Sequence, residues 1–340
     1  MKVTPKSVRK EILTNIRKSL LELGSSTIVE LSDRLGISFP TISKCFAQME
    51  KAGELILVGL DDSNGGRRAK RYAYNPEYML GLAIFLERTE THYIVYNCLG
   101  DVKNTGKTDG VLVEDDLTSL TKLMEKIVDQ HPTIRSIAIG VPGSVDNGKI
   151  FYIPGYEQFH NLDLKGYFEQ HFSIPVVVEN DMNAAVLGFH KNSGLKNNTS
   201  LVYLYSGQNG PGAGFLINGD VVRGSTFFAG EVSFVPQYND RNFRQALEND
   251  RDSMTATFST DAQIDAICRL IATITAIINP HTIIFCSDEI EKTTLKKISI
   301  GSSKYIPSKH LPNLTISDWK QDYLYGLQSL GITLMLMEPN

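Results

Sequence analysis

Apolar residues at the start of the chain recur at helical spacing. Val8, Ile12, Ile16 and Leu20 share one face, Leu13 and Leu23 flank it, and Gly24 follows as a stop. Ser25-Ser26-Thr27 offers a cap to a second helix over residues 28–35, which Gly36 ends. Ser38 is placed to cap a third helix over 39–52, with Pro40 in the first turn, where no N–H partner is needed. Ile42, Phe46 and Met49 form its apolar face. Residues 55–58 read as a strand, 61–66 as a loop and 67–74 as a returning strand. A leading helix, a helix-turn-helix and a basic hairpin make a winged helix.

Beyond residue 75 the pattern alternates between strand and helix. Residues 81–86 and 91–97 are strand-like, and a third strand lies near 105–107. Leu120, Leu123, Met124, Ile127 and Val128 give helical spacing over 117–129. Residues 136–141 are a buried strand leading to Pro142-Gly143, and Phe168 ends an amphipathic stretch. Three valines after Pro175 form another strand, which the polar cluster Glu179-Asn180-Asp181 ends. A helix follows, with Asp181 or Asn183 as its N-cap.

The second half repeats the theme. It has a strand at 201–205, a glycine-rich loop at 207–214 and a hairpin at 214–222 turning on Asn218-Gly219. An apolar helix at 264–278, a strand at 282–286 and a closing helix at 323–337 complete it. The expected fold class is α/β, with two lobes facing one crevice. Side chains just past the carboxyl end of a strand face such a crevice, which places Asn180 and Asp181 there. An amide donates and accepts, and a carboxylate accepts from hydroxyls, so the pair suits a polyhydroxylated ligand. Equally, Asp181 could serve only to cap a helix.

Charge sharpens the division. Residues 1–75 hold thirteen Lys/Arg against eight Asp/Glu, while the rest of the chain carries a net −9. A basic head on an acidic body points to a polyanion as the head's partner. A basic surface without a partner, or a helical interaction domain, is the competing reading. Ser38, Thr41, Ser43, Lys44 and Gln48 lie off the apolar face of the third helix and suit phosphate and base-edge contact. Arg67, Arg68, Lys70 and Arg71 place four cations near the wing. No run of about 18 apolar residues suggests a membrane span, and the N-terminus has no secretory pattern. Cys45, Cys98, Cys268 and Cys286 are far apart and read as buried thiols in a reducing cytoplasm.

The body resembles the ROK family of sugar kinases and sugar-responsive repressors. The matching segments are 138–143, 178–185, 217–224, Ala229-Gly230-Glu231 and Ile278-Asn279-Pro280, in the family's order. The winged helix, with Gly65-Gly66-Arg67-Arg68, resembles the repressor branch. The resemblance implies a winged helix-turn-helix over 1–75 and a two-lobed actin-like (RNase H-like) body, with lobes at 76–183 and 184–340. It implies that the closing helix returns to the first lobe. It also implies sugar contacts from Gly143, Asn180, Asp181 and Glu231, with Glu248 as a further one. Asp181 matches the kinases' general base.

The departures concern phosphate and metal. Where the kinases carry an Asp and paired glycines in the first strand-turn, this chain has Ala83, Phe85 and Leu86. A phosphate cradle needs small residues so that N–H groups can approach the oxygens, and alanine cannot hold magnesium through a carboxylate. Pro211 interrupts the second phosphate loop, and Cys286-Ser287-Asp288 replaces the glycine turn that receives adenosine. The His shared by sugar and structural zinc is Phe234, and no cysteine lies between Cys98 and Cys268. The expectation is therefore a sugar-responsive DNA-binding regulator, a repressor, with no catalytic residue, metal or cofactor. It would act in the cytoplasm on operator DNA, as a homodimer or higher homo-oligomer. The alternatives are a ROK-type sugar kinase with an atypical nucleotide site, and a regulator whose body senses a protein partner.

Overall fold

A computed structural model of the chain describes residues 5–61, 68–87, 89–111, 117–153, 159–207, 210–238, 240–248, 258 and 260–337. The head comprises α1 (Pro5–Leu23), β1 (Ser26–Thr27), α2 (Ile28–Leu35), α3 (Phe39–Lys51), β2 (Leu55–Leu60) and β3 (Lys70–Tyr74). Thr27 and Glu30 form a reciprocal capping box at the start of α2. Thr27 Oγ1 accepts from the Glu30 amide at 3.2 Å, and Glu30 accepts from the Thr27 amide at 2.8 Å. Gly36 ends α2 at φ +64, a left-handed conformation that glycine adopts without penalty. Ser38 occupies the N-cap of α3, but its hydroxyl meets the Thr41 hydroxyl at 2.9 Å instead of a backbone amide. Ile16, Leu20, Leu31, Ile42, Phe46 and Met49 are enclosed between the helices and the hairpin. Burying each such side chain contributes about 1.5–3 kcal/mol relative to exposure.

The first lobe begins with β4 (Leu80–Leu86), β5 (Glu90–Asn97), β6 (Val102–Asp109), α4 (Thr118–Gln130) and β7 (Ile134–Val141). A small sheet of β8 (Ser144–Asp146), β9 (Lys149–Tyr152) and β10 (Leu162–Asp163) follows. The lobe ends with α5 (Leu164–Phe172), β11 (Val176–Asn180) and α6 (Asp181–Asn192). The second lobe comprises β12 (Leu201–Tyr205), β13 (Gly212–Ile217), β14 (Asp220–Val221), α7 (Phe243–Glu248), α8 (Asp261–Ile278), β15 (Thr282–Cys286), α9 (Lys292–Ser302), β16 (Asn313–Ser317) and α10 (Trp319–Met337).

The two large sheets repeat one topology. In the first the order is β11-β7-β4-β5-β6, and in the second β14-β13-β12-β15-β16. In each, three antiparallel strands are followed by two parallel ones that enter through helices. Every residue of β4 is buried, as a central strand covered on both faces requires. This is the actin-like α/β architecture expected from the sequence, with a winged helix ahead of it.

The last helices of the two repeats cross over. α6 closes the first repeat yet packs on β12 and β13, whereas α10 closes the second and packs on β4 and β7. They meet through glycines. A Cβ on Gly188 would stand 1.8 Å from the Asp322 carbonyl oxygen, and one on Gly326 would stand 1.9 Å from that of Ala184. The backbones touch because no side chain separates them. α6 also runs unbroken through residues 183 and 184, where the sequence reading places a lobe boundary.

The start of α6 corrects the sequence reading. Parallel pairing with β7 carries β11 through Asn180, which lies opposite Val141. Asn180 is therefore extended, as an N-cap must be, and its Oδ1 accepts from the Asn183 amide at 3.0 Å. The cap is Asn180, not Asp181 or Asn183.

Candidate functional site

The cleft between the lobes holds a cavity of about 80 Å³. One wall is Pro142-Gly143 after β7 and Asn180-Asp181 after β11. The other is Tyr205, the 210–213 backbone, Ala229-Gly230-Glu231 and Ser233. Gly143, Asn180, Asp181 and Glu231, named from the sequence, thus line one cavity. Glu248 does not. It lies exposed at the end of α7, paired with Arg244 at 2.6 Å one helical turn away.

Asn180 organises this floor. Its amide nitrogen donates to the Gly143 carbonyl at 3.0 Å and to Asp181 Oδ1 at 2.9 Å. The Met182 amide donates to the same Oδ1 at 2.7 Å. Among the described residues no hydrogen bond reaches Asp181 Oδ2, which leaves that oxygen for a ligand hydroxyl. Burial pushes the Asp181 carboxyl up to about 7, with help from Glu231 and Glu87 and against the Met182 and Asn180 hydrogen bonds. Near neutrality it can either donate or accept. Burial also raises Glu231, although Ser144 donates to it at 3.5 Å. Glu179, one residue back, is buried and ties the Asn180 amide and the Asn183 side chain to the Arg223 guanidinium.

Where the family resemblance puts ATP phosphates, the chain is filled by its own groups. Phe85 is fully buried. It stacks on His92 at 4.8 Å and touches Tyr323 at 4.8 Å and Trp319 at 5.9 Å. Trp319 in turn stacks on Tyr205 at 4.4 Å. The amides of Ser206, just before the second phosphate loop, and of Gly207, its first residue, point at a carboxylate. Ser206 N donates to both Glu289 oxygens at 3.0 and 2.9 Å, and Gly207 N to one of them at 3.0 Å. Successive backbone amides of this kind form an anion nest, and a buried side chain of the same molecule occupies it. Sequence reasoning missed Glu289; only the fold brings it to a loop 83 residues away. These residues do not fit a magnesium–nucleotide complex. Nor do they fit the family's zinc. Phe234 has no lone pair to offer, and among the described residues no group of three His, Cys, Asp or Glu could hold a metal.

In the head, Lys44 and Gln48 are exposed on α3, Ser38 is exposed at its start, and Thr41 and Ser43 are half-buried. Arg9 of α1, absent from the sequence reading, donates to Gln48 Oε1 at 2.6 Å and adds a cation beside α3. Arg68 and Lys70 are exposed, with Glu50 4.0 Å from Lys70; Arg67 lies outside the described residues. Arg71 is engaged internally. It binds Asp61 through two contacts at 2.6 and 2.9 Å, Glu30 at 2.6 Å and the Ser25 carbonyl at 3.2 Å. Hydrogen bonds from Thr27, Arg71 and Ser26 hold Glu30 down to about 2. Among the described residues no helix is long and apolar enough to cross a membrane.

Comparison with known proteins agrees with this geometry. Residues 89–242 match the profile described as "ROK family". A xylose repressor of Caldicellulosiruptor bescii is 29% identical over 226 residues, covering 64% of this chain and 56% of that protein. The chain thus spans less than two thirds of that relative's length. A ROK family transcriptional regulator described as a homolog of the E. coli MLC protein superposes with a TM-score of 0.74. It is 19% identical, and the match covers 97% of this chain and 98% of that one. A ROK family glucokinase from Streptomyces griseus superposes with a TM-score of 0.55 at 17% identity, over 74% of this chain and 99% of that one. At these identities the likeness in structure is one of fold.

Proposed function

We propose that this chain, whose residues 89–242 form a ROK-family domain, is a sugar-responsive transcriptional repressor that does not transfer phosphate. One observation carries the reading: Asp181 keeps a free oxygen in the cleft between the lobes while Phe85 and Glu289 fill the adjoining phosphate positions. Phosphoryl transfer depends on metal and positioned donors for most of its acceleration. An aromatic plug and a resident carboxylate supply neither. Asp181 then acts as a hydroxyl partner and not as a base.

The head would bind operator DNA through α3, with Arg68 and Lys70 reaching the backbone. A homodimer or higher homo-oligomer in the cytoplasm would pair two heads on a palindromic site. The C. bescii relative makes xylose the first effector to try. α10 offers the coupling. Its first residue, Trp319, stacks on Tyr205 of the cleft, and roughly 26 Å away by helical rise its Leu336 carbonyl accepts from Thr14 and Arg17 of α1. A sugar that binds one lobe arrangement better than another would shift the head through this helix.

The test is electrophoretic mobility with DNA from upstream of the chain's own gene, with and without xylose and other aldoses. Specific retardation relieved by a sugar is expected. Absence of retardation at moderate salt would refute DNA binding. The kinase fold of the S. griseus neighbour keeps an enzyme as the second reading. Sugar-dependent ATP turnover well above background would establish that reading instead.

A further inference from the structure

We propose that the cleft has a second ligand position, an aromatic platform at its mouth that receives a ring linked to the sugar held by Asp181. The proposal rests on the sugar-binding reading and names the ligand class: a disaccharide or aryl glycoside in preference to a free monosaccharide.

The platform is Phe228 and Phe234. In sequence they bracket Ala229, Gly230, Glu231 and Ser233 of the cavity wall, so each adjoins a residue that lines it. Their centroids are 5.4 Å apart, tilted by 43°. Phe228 is 55% exposed and Phe234 62%. Single exposed apolar residues are ordinary, but two adjoining aromatic rings open to water beside a polar cavity are not.

The backbone beneath them is fixed. Ala213 N donates to the Gly230 carbonyl at 2.8 Å, Phe234 N to the Glu231 carbonyl at 3.2 Å, and the Ser233 hydroxyl to the Pro211 carbonyl. The rings therefore point outward because the segment is anchored, not because it is loose. Phe227, just before them, adopts φ +58, a left-handed conformation costly for a bulky residue. That conformation lays its ring on Phe151 of β9, 5.8 Å away at 15°, so the aromatic rim spans both lobes.

Carbohydrate chemistry suits such a rim. A pyranose ring is polar at its edge, but its faces present C–H groups that the negative face of an aromatic ring attracts. The cavity offers the Asp181 and Glu231 carboxyl groups for one ring's hydroxyls. The rim offers faces without hydrogen-bonding groups for the next ring.

The experiment is calorimetric titration of the full chain with xylose and glucose, their β-1,4-linked disaccharides, and their phenyl and methyl glycosides in both anomers. At least one disaccharide or phenyl glycoside should bind about fivefold or more tighter than its monosaccharide or methyl glycoside, the scale of one aromatic contact. Phe228→Ala and Phe234→Ala should each abolish that preference, and Phe234→Tyr should keep it. Phe228→Ala should bind the monosaccharide like wild type, with thermal unfolding confirming that each variant folds. Monosaccharide binding without any preference, or a preference the alanine variants keep, overturns the platform while the sugar reading stands. No binding of any sugar overturns both. Alanine variants that change the oligomeric state but not the ligand preference would assign the rings to a subunit contact and overturn the proposal.

Discussion

Arg17 donates from Nε to Glu54 Oε1 at 2.5 Å, and both side chains are almost wholly enclosed, 3% and 5% exposed. Arg17 also reaches the Leu336 carbonyl at the end of α10. One buried cation thus joins the leading helix, the turn after α3 and the last helix of the body. Removing one partner of a buried pair strands the other charge, at a cost of about 3–5 kcal/mol. Arg17→Ala should lower stability on that scale in urea unfolding, and Arg17→Met combined with Glu54→Gln should recover much of it. If the single variant unfolds like wild type, the pair does not anchor the head.

The cations of the head should separate by role. Lys44→Ala and Arg68→Ala should each reduce the slope of log affinity against log salt by about 1. Arg71→Ala should leave the slope unchanged and lower the melting temperature, because Arg71 already faces Asp61 and Glu30. A large drop in slope for Arg71→Ala would mean that its ion pairs open on DNA.

Asp181 makes a pH-dependent contribution. Its carboxyl titrates near 7 in the folded chain, above the ordinary carboxylate value, because burial disfavours the anion. The folded state therefore holds a proton that the unfolded chain has released. That contribution is complete below the unfolded value near 4 and is lost as pH rises through 7. The wild-type melting temperature should fall more between pH 5 and 8.5 than that of Asp181→Asn. Parallel curves would contradict the shift.

The crossing of α6 and α10 depends on two absent side chains. Gly326→Ala places a Cβ against a backbone carbonyl that cannot rotate away. Overpacking of this kind costs about 1–3 kcal/mol. Gly59→Ala, with nothing within 4 Å of its Cβ, is the control and should change little. Equal midpoints for the two variants would show that the helices yield.

Local signals were legible in the sequence, and long-range ones were not. Gly24, Gly36, Thr27 and Asn218-Gly219 each declare a stop, a cap or a turn within a few residues, and the structure uses them so. Asn180 was missed as a cap because Asn and Asp cap equally well. Only pairing to Val141 shows where the strand stops. α9 and β16 escaped notice, since Lys292–Ser302 is largely polar and Asn313–Ser317 is short and half-exposed. Arg71 looked like a free cation because Glu30 lies 41 residues away in sequence. Glu248 follows no local signal that ties it to the cleft, and folding leaves it outside, exposed at the end of α7.

Glu289 bears on how such a chain can change over generations. If phosphate once lay on the Ser206 and Gly207 amides, its place has been taken by a group that is now part of the core. On the proposed reading, phosphate transfer would require a carboxylate at position 83, small residues at 85 and 86, and eviction of Glu289. That last step exposes buried amides before any nucleotide arrives to satisfy them. Sequences on the way would be less stable than either endpoint, so Glu289 would act as a ratchet against that change.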